Sequence, residues 1–189
     1  MAKKKVVKIN IQLRSIEEPD IDIIHVHQNT DCIFDLSGLL GNDLPWAPLS
    51  KAQIRKKIET KLERERTSLF GILVEDTGLV GLGYFSAGWD PWSPSVGLII
   101  WPEYRRQGYG TEAALLLLKH GFEESLAHVI NAENVDWNPE GIKFILNLGF
   151  KESGLARRDG LRHGQFFDTL YFDMLRKEYN AKYGMGGER

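Results

Sequence analysis

Arg105-Arg106-Gln107-Gly108-Tyr109-Gly110-Thr111 is the segment whose residue types and spacing could do chemistry. That chemistry is the holding of a phosphate. Backbone N–H groups of a loop and of the first helical turn have no intrahelical partner and point at whatever sits there. Gly108 and Gly110 turn the chain without a side chain in the way of a ligand. Arg105 and Arg106 add fixed positive charge. Two elements must position the segment. An apolar strand ending in Leu98-Ile99-Ile100 feeds it, and a helix through Ala113, Ala114 and Leu115 to Leu118 follows it.

Three readings compete for these residues. Gly108-x-Gly110-x-x-Ala113 matches a dinucleotide fingerprint weakly, because the glycines come late after the strand and no acidic residue closes a second strand where one is needed. No G-x-x-x-x-G-K-[ST] phosphate loop occurs anywhere. The third is R-x-x-G-x-G, from Arg105 to Gly110. The plain alternative is a glycine turn into a helix.

Further along, Asn138-Pro139-Glu140-Gly141-Ile142-Lys143-Phe144-Ile145-Leu146-Asn147-Leu148-Gly149-Phe150 places an asparagine, an apolar residue and L-G-F at set spacing. Gly164 to Asp168 and Leu170 to Tyr179 read as a closing hairpin and terminal strand, and Leu13-Arg14 precedes Asp20. Together these segments resemble the GNAT superfamily of N-acetyltransferases, in its RimJ/RimL-type branch. The resemblance covers nearly the whole chain. It is specific at the two glycine-bearing segments and loose before Ser68.

The resemblance implies an α+β fold with a central, mixed, mostly antiparallel twisted sheet. Helices cover both faces, and two strands splay apart where the cofactor lies. It implies acetyl-CoA as cosubstrate. The pantetheine arm would pair with the backbone of Leu98, Ile99 and Ile100, as an added strand does. The pyrophosphate would rest on the amides of Arg106 through Thr111, beside Arg105. Asn138, Gly141 and Phe144 would line the arm. Each has a structural alternative. Leu98 to Ile100 suit a buried strand, and Asn138 suits a helix N-cap with Pro139 behind it and Gly149 closing the helix.

Three positions depart from the family. Gly141 stands where many relatives carry serine or alanine. Ile145 replaces the tyrosine that protonates the departing thiolate, and Ser95 replaces a glutamate two residues before the strand glycine. Acid and base are therefore open. A backbone N–H near Ile99 or Ile100 could polarise the thioester carbonyl. Candidate bases are Asp90, Glu133, Asp136 and Asp168, each also a plausible solvated or turn-forming carboxylate, and a water chain could replace them. Tyr104 and Tyr109 are candidate donors.

The acceptor is expected at Trp89-Asp90-Pro91-Trp92, where aromatic rings and a carboxylate could hold a cationic amine. The alternative is a structural loop latched by tryptophan. Trp46 lies in another loop. His25-Val26-His27 does not make a metal site, because helix positions two apart point their rings away from each other. No metal is expected.

The 189 residues suit one domain, 1–189, with its own core. A net charge of −2 gives no electrostatic case for nucleic acid. No apolar run approaches a membrane span, and the basic Met1-Ala2-Lys3-Lys4-Lys5 start has no signal core behind it. Cys32, the single cysteine, suits a reducing cytoplasm. A homodimer stays open.

Ile9, Ile11 and Leu13 alternate as in a strand. Asp20 is expected to cap a short helix carrying Ile23, Ile24 and His27. Asp31 to Pro48 reads as irregular. Ser50 and Gln53 form a capping box for a helix with Ile54, Ile58 and Leu62 on one face. Leu69 to Val74 and Leu79 to Phe85 flank an Asp76-Thr77-Gly78 turn, and Ala127 to Val135 is a later strand. The tail from Gly184 reads as frayed. The leading function is acetyl transfer from acetyl-CoA to a primary amine by direct attack in a ternary complex: a protein N-terminus, polyamine, amino acid or similar. The other class is a non-catalytic CoA-binding or regulatory domain without its acid and base.

Overall fold

The structure, a computed structural model, describes residues 10–30, 48–64 and 66–184. The basic start, Ile9, Cys32, Trp46 and the last five residues of the tail lie outside the described residues, as does nearly all of the segment expected to be irregular. The elements run β1 (Ile11–Ser15), α1 (Asp20–Gln28), α2 (Lys51–Arg64), β2 (Thr67–Val74), β3 (Gly78–Ser86) and β4 (Ser95–Ile100). A 3-10 turn (Pro102–Tyr104), α3 (Tyr109–Lys119) and a π turn (His120–Glu124) follow. The chain closes with β5 (Val129–Val135), α4 (Pro139–Leu148), β6 (Lys151–Arg162), β7 (Gln165–Leu175) and α5 (Arg176–Tyr183).

The strands form one seven-stranded sheet in the order β1-β2-β3-β4-β5-β7-β6. It is mixed and mostly antiparallel. β1 pairs antiparallel with β2, and β7 antiparallel with β5 and β6. β4 and β5 are parallel, and their register is a single pair, Ser95 opposite Asn131.

The chain divides into two compact units, Met1–Tyr84 with Leu98–Leu116, and Phe85–Gly97 with Leu117–Arg189. In the first unit, strand alternation sorts side chains onto two faces. Leu69, Ile99 and Trp101 pack with Ile21 and Ile24 of α1 and Ile54 and Ile58 of α2. Ile72, Leu98 and Ile100 pack with Ala113 of α3 on the other face. Helices therefore flank both sides. The Ser50/Gln53 box is formed, with Gln53 N–H donating to Ser50 Oγ at 3.3 Å and Ser50 N–H to Gln53 Oε1 at 2.8 Å. Gly81 is required by close approach, since a Cβ there would sit 2.1 Å from the Ile99 carbonyl oxygen.

The helix carries Ile23, Ile24 and His27 as expected, but the cap is corrected. Asp20 is the first helical residue and Pro19 holds the cap position. The Asp20 carboxylate faces backward instead, accepting from Glu17 N–H at 2.7 Å and from both Arg14 Nη atoms. Burial pushes its carboxyl up, but the Arg14 bonds and the Glu17 N–H together hold it below the ordinary value. Ile23 is exposed, and Ile21 and Ile24 carry the buried face.

In the second unit Phe122, Ile130, Phe172 and Met174 are fully buried. The expected strand from Ala127 begins at Val129, and the terminal strand expected to reach Tyr179 ends at Leu175. Chain direction changes there because Glu178 accepts from Leu175 N–H at 3.0 Å and starts α5. Arg176 also straps back, donating to the carbonyls of Ala127 and Phe122. Tyr179 is thus helical, and its ring stacks on Phe122 with centroids 4.7 Å apart.

Candidate active site

The strongest geometry lies between β4 and α3 in the first unit. Arg106 has φ 62° and Gly108 φ 89°, both left-handed. A non-glycine residue held there stores strain, and alternating hands along a short run turn successive N–H groups into one concavity, an anion-binding nest. Thr111 N–H donates to Gly108 O at 3.1 Å and Glu112 N–H to the same oxygen at 3.2 Å. The helix is closed there. Gln107, Gly108, Tyr109 and Gly110 come before that first closed turn, where a helix leaves its N–H groups without an intrahelical partner. Of the amides expected to cradle a pyrophosphate, Thr111 is already engaged. The Gln107 side chain folds away, donating to Glu103 O at 3.0 Å.

β4 is oriented by its partners. Trp101 N–H donates to Val80 O of β3 at 2.9 Å, and the Ile99 carbonyl faces Gly81. Successive residues of a strand turn their backbone groups to opposite sides, so the N–H groups of Leu98 and Ile100 point away from β3. Arg105 Nε donates to Ile100 O at 2.9 Å, bracing the loop against the strand end. Of the two amides expected to polarise a carbonyl, Ile100 is turned outward and Ile99 toward β3.

In the second unit Asn138 caps α4. Its Oδ1 accepts from Gly141 N–H at 3.1 Å, Pro139 follows it, and Gly149 ends the helix at φ 99°. Asn138 Nδ2 donates to Asn134 Oδ1 at 3.1 Å, and Val135 N–H donates to that oxygen at 2.9 Å. Asn134 was not singled out by sequence. Only its place four residues before a helix-capping asparagine, at a strand end, could have flagged it. Phe144 is half-buried on α4. Ile145 is buried, so the position of the missing tyrosine belongs to the core.

Gly88 to Pro94 is a built loop. Asp90 Oδ1 accepts from Trp92 N–H at 2.9 Å, closing an Asx turn, and Oδ2 meets His128 Nε2 at 3.0 Å. His128 N–H donates to Trp92 O and Asn131 N–H to Pro94 O, both at 2.9 Å. The Trp92 amide, and then His128, hold the Asp90 carboxyl below its ordinary value. A carboxylate so stabilised is a weaker base. Trp89 is 94% exposed and Trp92 47%, so among the described residues Trp89 latches nothing.

The other carboxylates are scattered. Glu133 is exposed on β5 opposite Tyr171, and Asp136 is exposed past the end of β5. Asp168 Oδ1 accepts from Arg158 N–H at 2.7 Å at an irregular stretch of β6. Tyr104 ends the 3-10 turn and Tyr109 begins α3, both packed against the cluster of Ile72, Val80, Ile100 and Ala113. His27 stacks on Trp101 at 4.3 Å, with its Nε2 3.5 Å from Glu103 Oε1. Among the described residues no group of three His, Cys, Asp or Glu side chains could hold a metal ion, and no helix is long and apolar enough to cross a membrane.

A nest opening onto a helix N-terminus, fed by a strand with outward backbone donors, suits an anion and an extended chain laid along the strand. Residues 10–151 match the acetyltransferase (GNAT) domain, and the chain belongs to that family. The family's activity is acetyl-CoA-dependent N-acetylation of amines, and this protein is an N-acetyltransferase. The chain is 26% identical to the SPbeta prophage-derived uncharacterized N-acetyltransferase YokL of Bacillus subtilis over 188 residues, covering 93% of this chain and 95% of that one. Spermidine N-acetyltransferase from Vibrio cholerae, solved with CoA and spermine, superposes with a TM-score of 0.77 at 20% identity, over 89% of this chain and 97% of that one. A GNAT-family acetyltransferase from Bacillus anthracis gives 0.73 at 20% identity, over 90% and 98%. The likeness to these two structures is one of fold.

Proposed function

We propose that the protein acetylates a small cationic primary amine of the polyamine type, and that residues 1–189 work as one acetyltransferase domain. The observation that carries the cofactor half is the left-handed backbone at Arg106 and Gly108, just ahead of the start of α3. The pyrophosphate rests on Gln107 to Gly110, with Arg105 and Arg106 supplying charge. The outward N–H groups of Leu98 and Ile100 pair with the pantetheine arm, and Asn138, Gly141 and Phe144 line it. When bound, acetyl-CoA supplies the activated acyl carbon. A backbone N–H of β4 that the arm leaves free would stabilise the oxygen that becomes negative when the amine attacks. The C–N bond forms and the C–S bond breaks. Neither Gly141 nor Ile145 can donate a proton to the leaving thiolate, which leaves water or the Tyr104 and Tyr109 hydroxyls to do so. Glu133 and Asp136 are exposed and remain the candidate bases, whereas Asp90 serves as a charge for a cation.

The acceptor half is supported by the Vibrio cholerae neighbour solved with spermine and by the exposed Trp89 and Trp92 beside Asp90. A cytoplasmic setting, a homodimer and a place in the RimJ/RimL-type branch belong to the same proposal. The test is thiol release from acetyl-CoA across polyamines, amino acids, aminoglycosides and peptides, with products checked by mass spectrometry. Polyamines are expected to turn over fastest. Acetylation confined to peptide N-termini would overturn the acceptor class, and CoA binding without turnover of any amine would favour a regulatory domain.

A further inference from the structure

We propose that Asn134 and Asn138 act as a paired-amide clamp on the pantetheine arm, with Asn134 both fixing how Asn138 presents its donor and contributing a donor of its own. This rests on the assignment of the start of α4 to the cofactor. Asn134 alternates with Ile130 and Ala132, both buried, so it lies on the face of β5 that α4 covers.

The amide orientations follow from chemistry. A backbone N–H only donates, so the atom of Asn134 that Val135 N–H meets at 2.9 Å is the oxygen. The atom of Asn138 that Gly141 N–H meets at 3.1 Å is likewise the oxygen. Asn134 Oδ1 then receives a second donor, Asn138 Nδ2, at 3.1 Å, and both its lone pairs are used. What the pair has in surplus is N–H: both hydrogens of Asn134 Nδ2 and one of Asn138 Nδ2. Two converging amide donors are complementary to a carbonyl oxygen, and the pantetheine arm carries two amide carbonyls.

Gly141 shows where the donors converge. A Cβ built on it would lie 2.2 Å from Asn134 Nδ2 and 2.5 Å from Asn138 Nδ2. Any side chain there would push both amides out of register. Glycine at this position, where the family resemblance puts serine or alanine, follows from the second asparagine. Two features that look unrelated in sequence, an extra amide on β5 and a missing side chain on α4, are one device.

The experiment compares CoA with 3′,5′-ADP, which has the nucleotide end but no pantetheine, by calorimetry on the full chain. Asn134→Asp keeps the oxygen that Val135 and Asn138 use and removes the donor. It is expected to weaken CoA about 3- to 10-fold, the worth of one hydrogen bond, and to leave 3′,5′-ADP unchanged. Gly141→Ala improves helix propensity, yet is expected to give the same selective loss. Equal losses on both ligands, or none on either, would overturn the clamp. Failure of wild type to bind either ligand would overturn the cofactor assignment itself, and the clamp with it.

Discussion

Ahead of the first closed turn of α3, the groups proposed to hold the cofactor are backbone amides, Gln107 to Gly110. At the end of β5 and the start of α4, the proposed groups are side-chain amides, Asn134 and Asn138. The first region is held by left-handed residues and by Arg105 reaching back to Ile100, the second by an asparagine pair that lock each other's orientation. A site made of backbone tolerates changes of side chain and fails when the chain's path is altered. A site made of side chains fails on a single truncation while the path survives.

The largest expected effect is at Gly108, where φ 89° leaves no relaxed conformation for an L-residue. Gly108→Asp adds strain and a carboxylate where phosphate must sit, and should cost CoA affinity about 100-fold or more. Undiminished affinity by calorimetry would remove the nest from the site. Asn138→Ala comes next. It should lower stability by about 0.5–2 kcal/mol through the lost cap and weaken CoA as well. Asn138→Ser should restore most of the stability and less of the affinity. Equal CoA affinity in all three proteins would leave only the cap.

Asp90→Asn tests a third kind of region, a loop shaped by one carboxylate. The asparagine oxygen can still accept from Trp92 N–H, so the fold should hold while acceptor KM rises about two- to fivefold at unchanged kcat. A fall in kcat instead would make Asp90 a base. The Asp90 carboxyl is depressed in the folded protein, so the stability it contributes is present above the ordinary carboxylate value and is lost as pH falls below it. The difference in Tm between wild type and Asp90→Asn should therefore shrink on acidification through that range. The smallest effect should be Gln107→Ala, where only a bond to the Glu103 carbonyl is lost and the amide stays. CoA affinity should change by no more than about twofold. A larger loss would mean that the cradle uses side chains after all.

The strand, loop and helix around Gly108, the Ser50/Gln53 box and the Asn138 to Gly149 helix were legible because each is specified within a few residues. A glycine allows a left-handed φ, and an N-cap oxygen meets an amide three residues on, wherever the segment is placed. Asp20 was misread as a cap because its partner, Arg14, approaches from outside the helix. Tyr179 is helical and not in the terminal strand because Glu178 and Arg176 turn the chain through Leu175 and Ala127, and Ala127 is distant in sequence.

Sequence by itself determined that a glycine-bearing turn opens an apolar helix and that an asparagine opens another, since both depend on short-range backbone chemistry. Only the tertiary structure decided which of Leu98, Ile99 and Ile100 turns its N–H outward, because that depends on which side of β4 is taken by β3. It also decided that His128 meets the Asp90 carboxylate, and that Asn134 stands over Gly141. Each of these is set by groups brought together from different elements, and their local residue types alone leave the pairing undetermined.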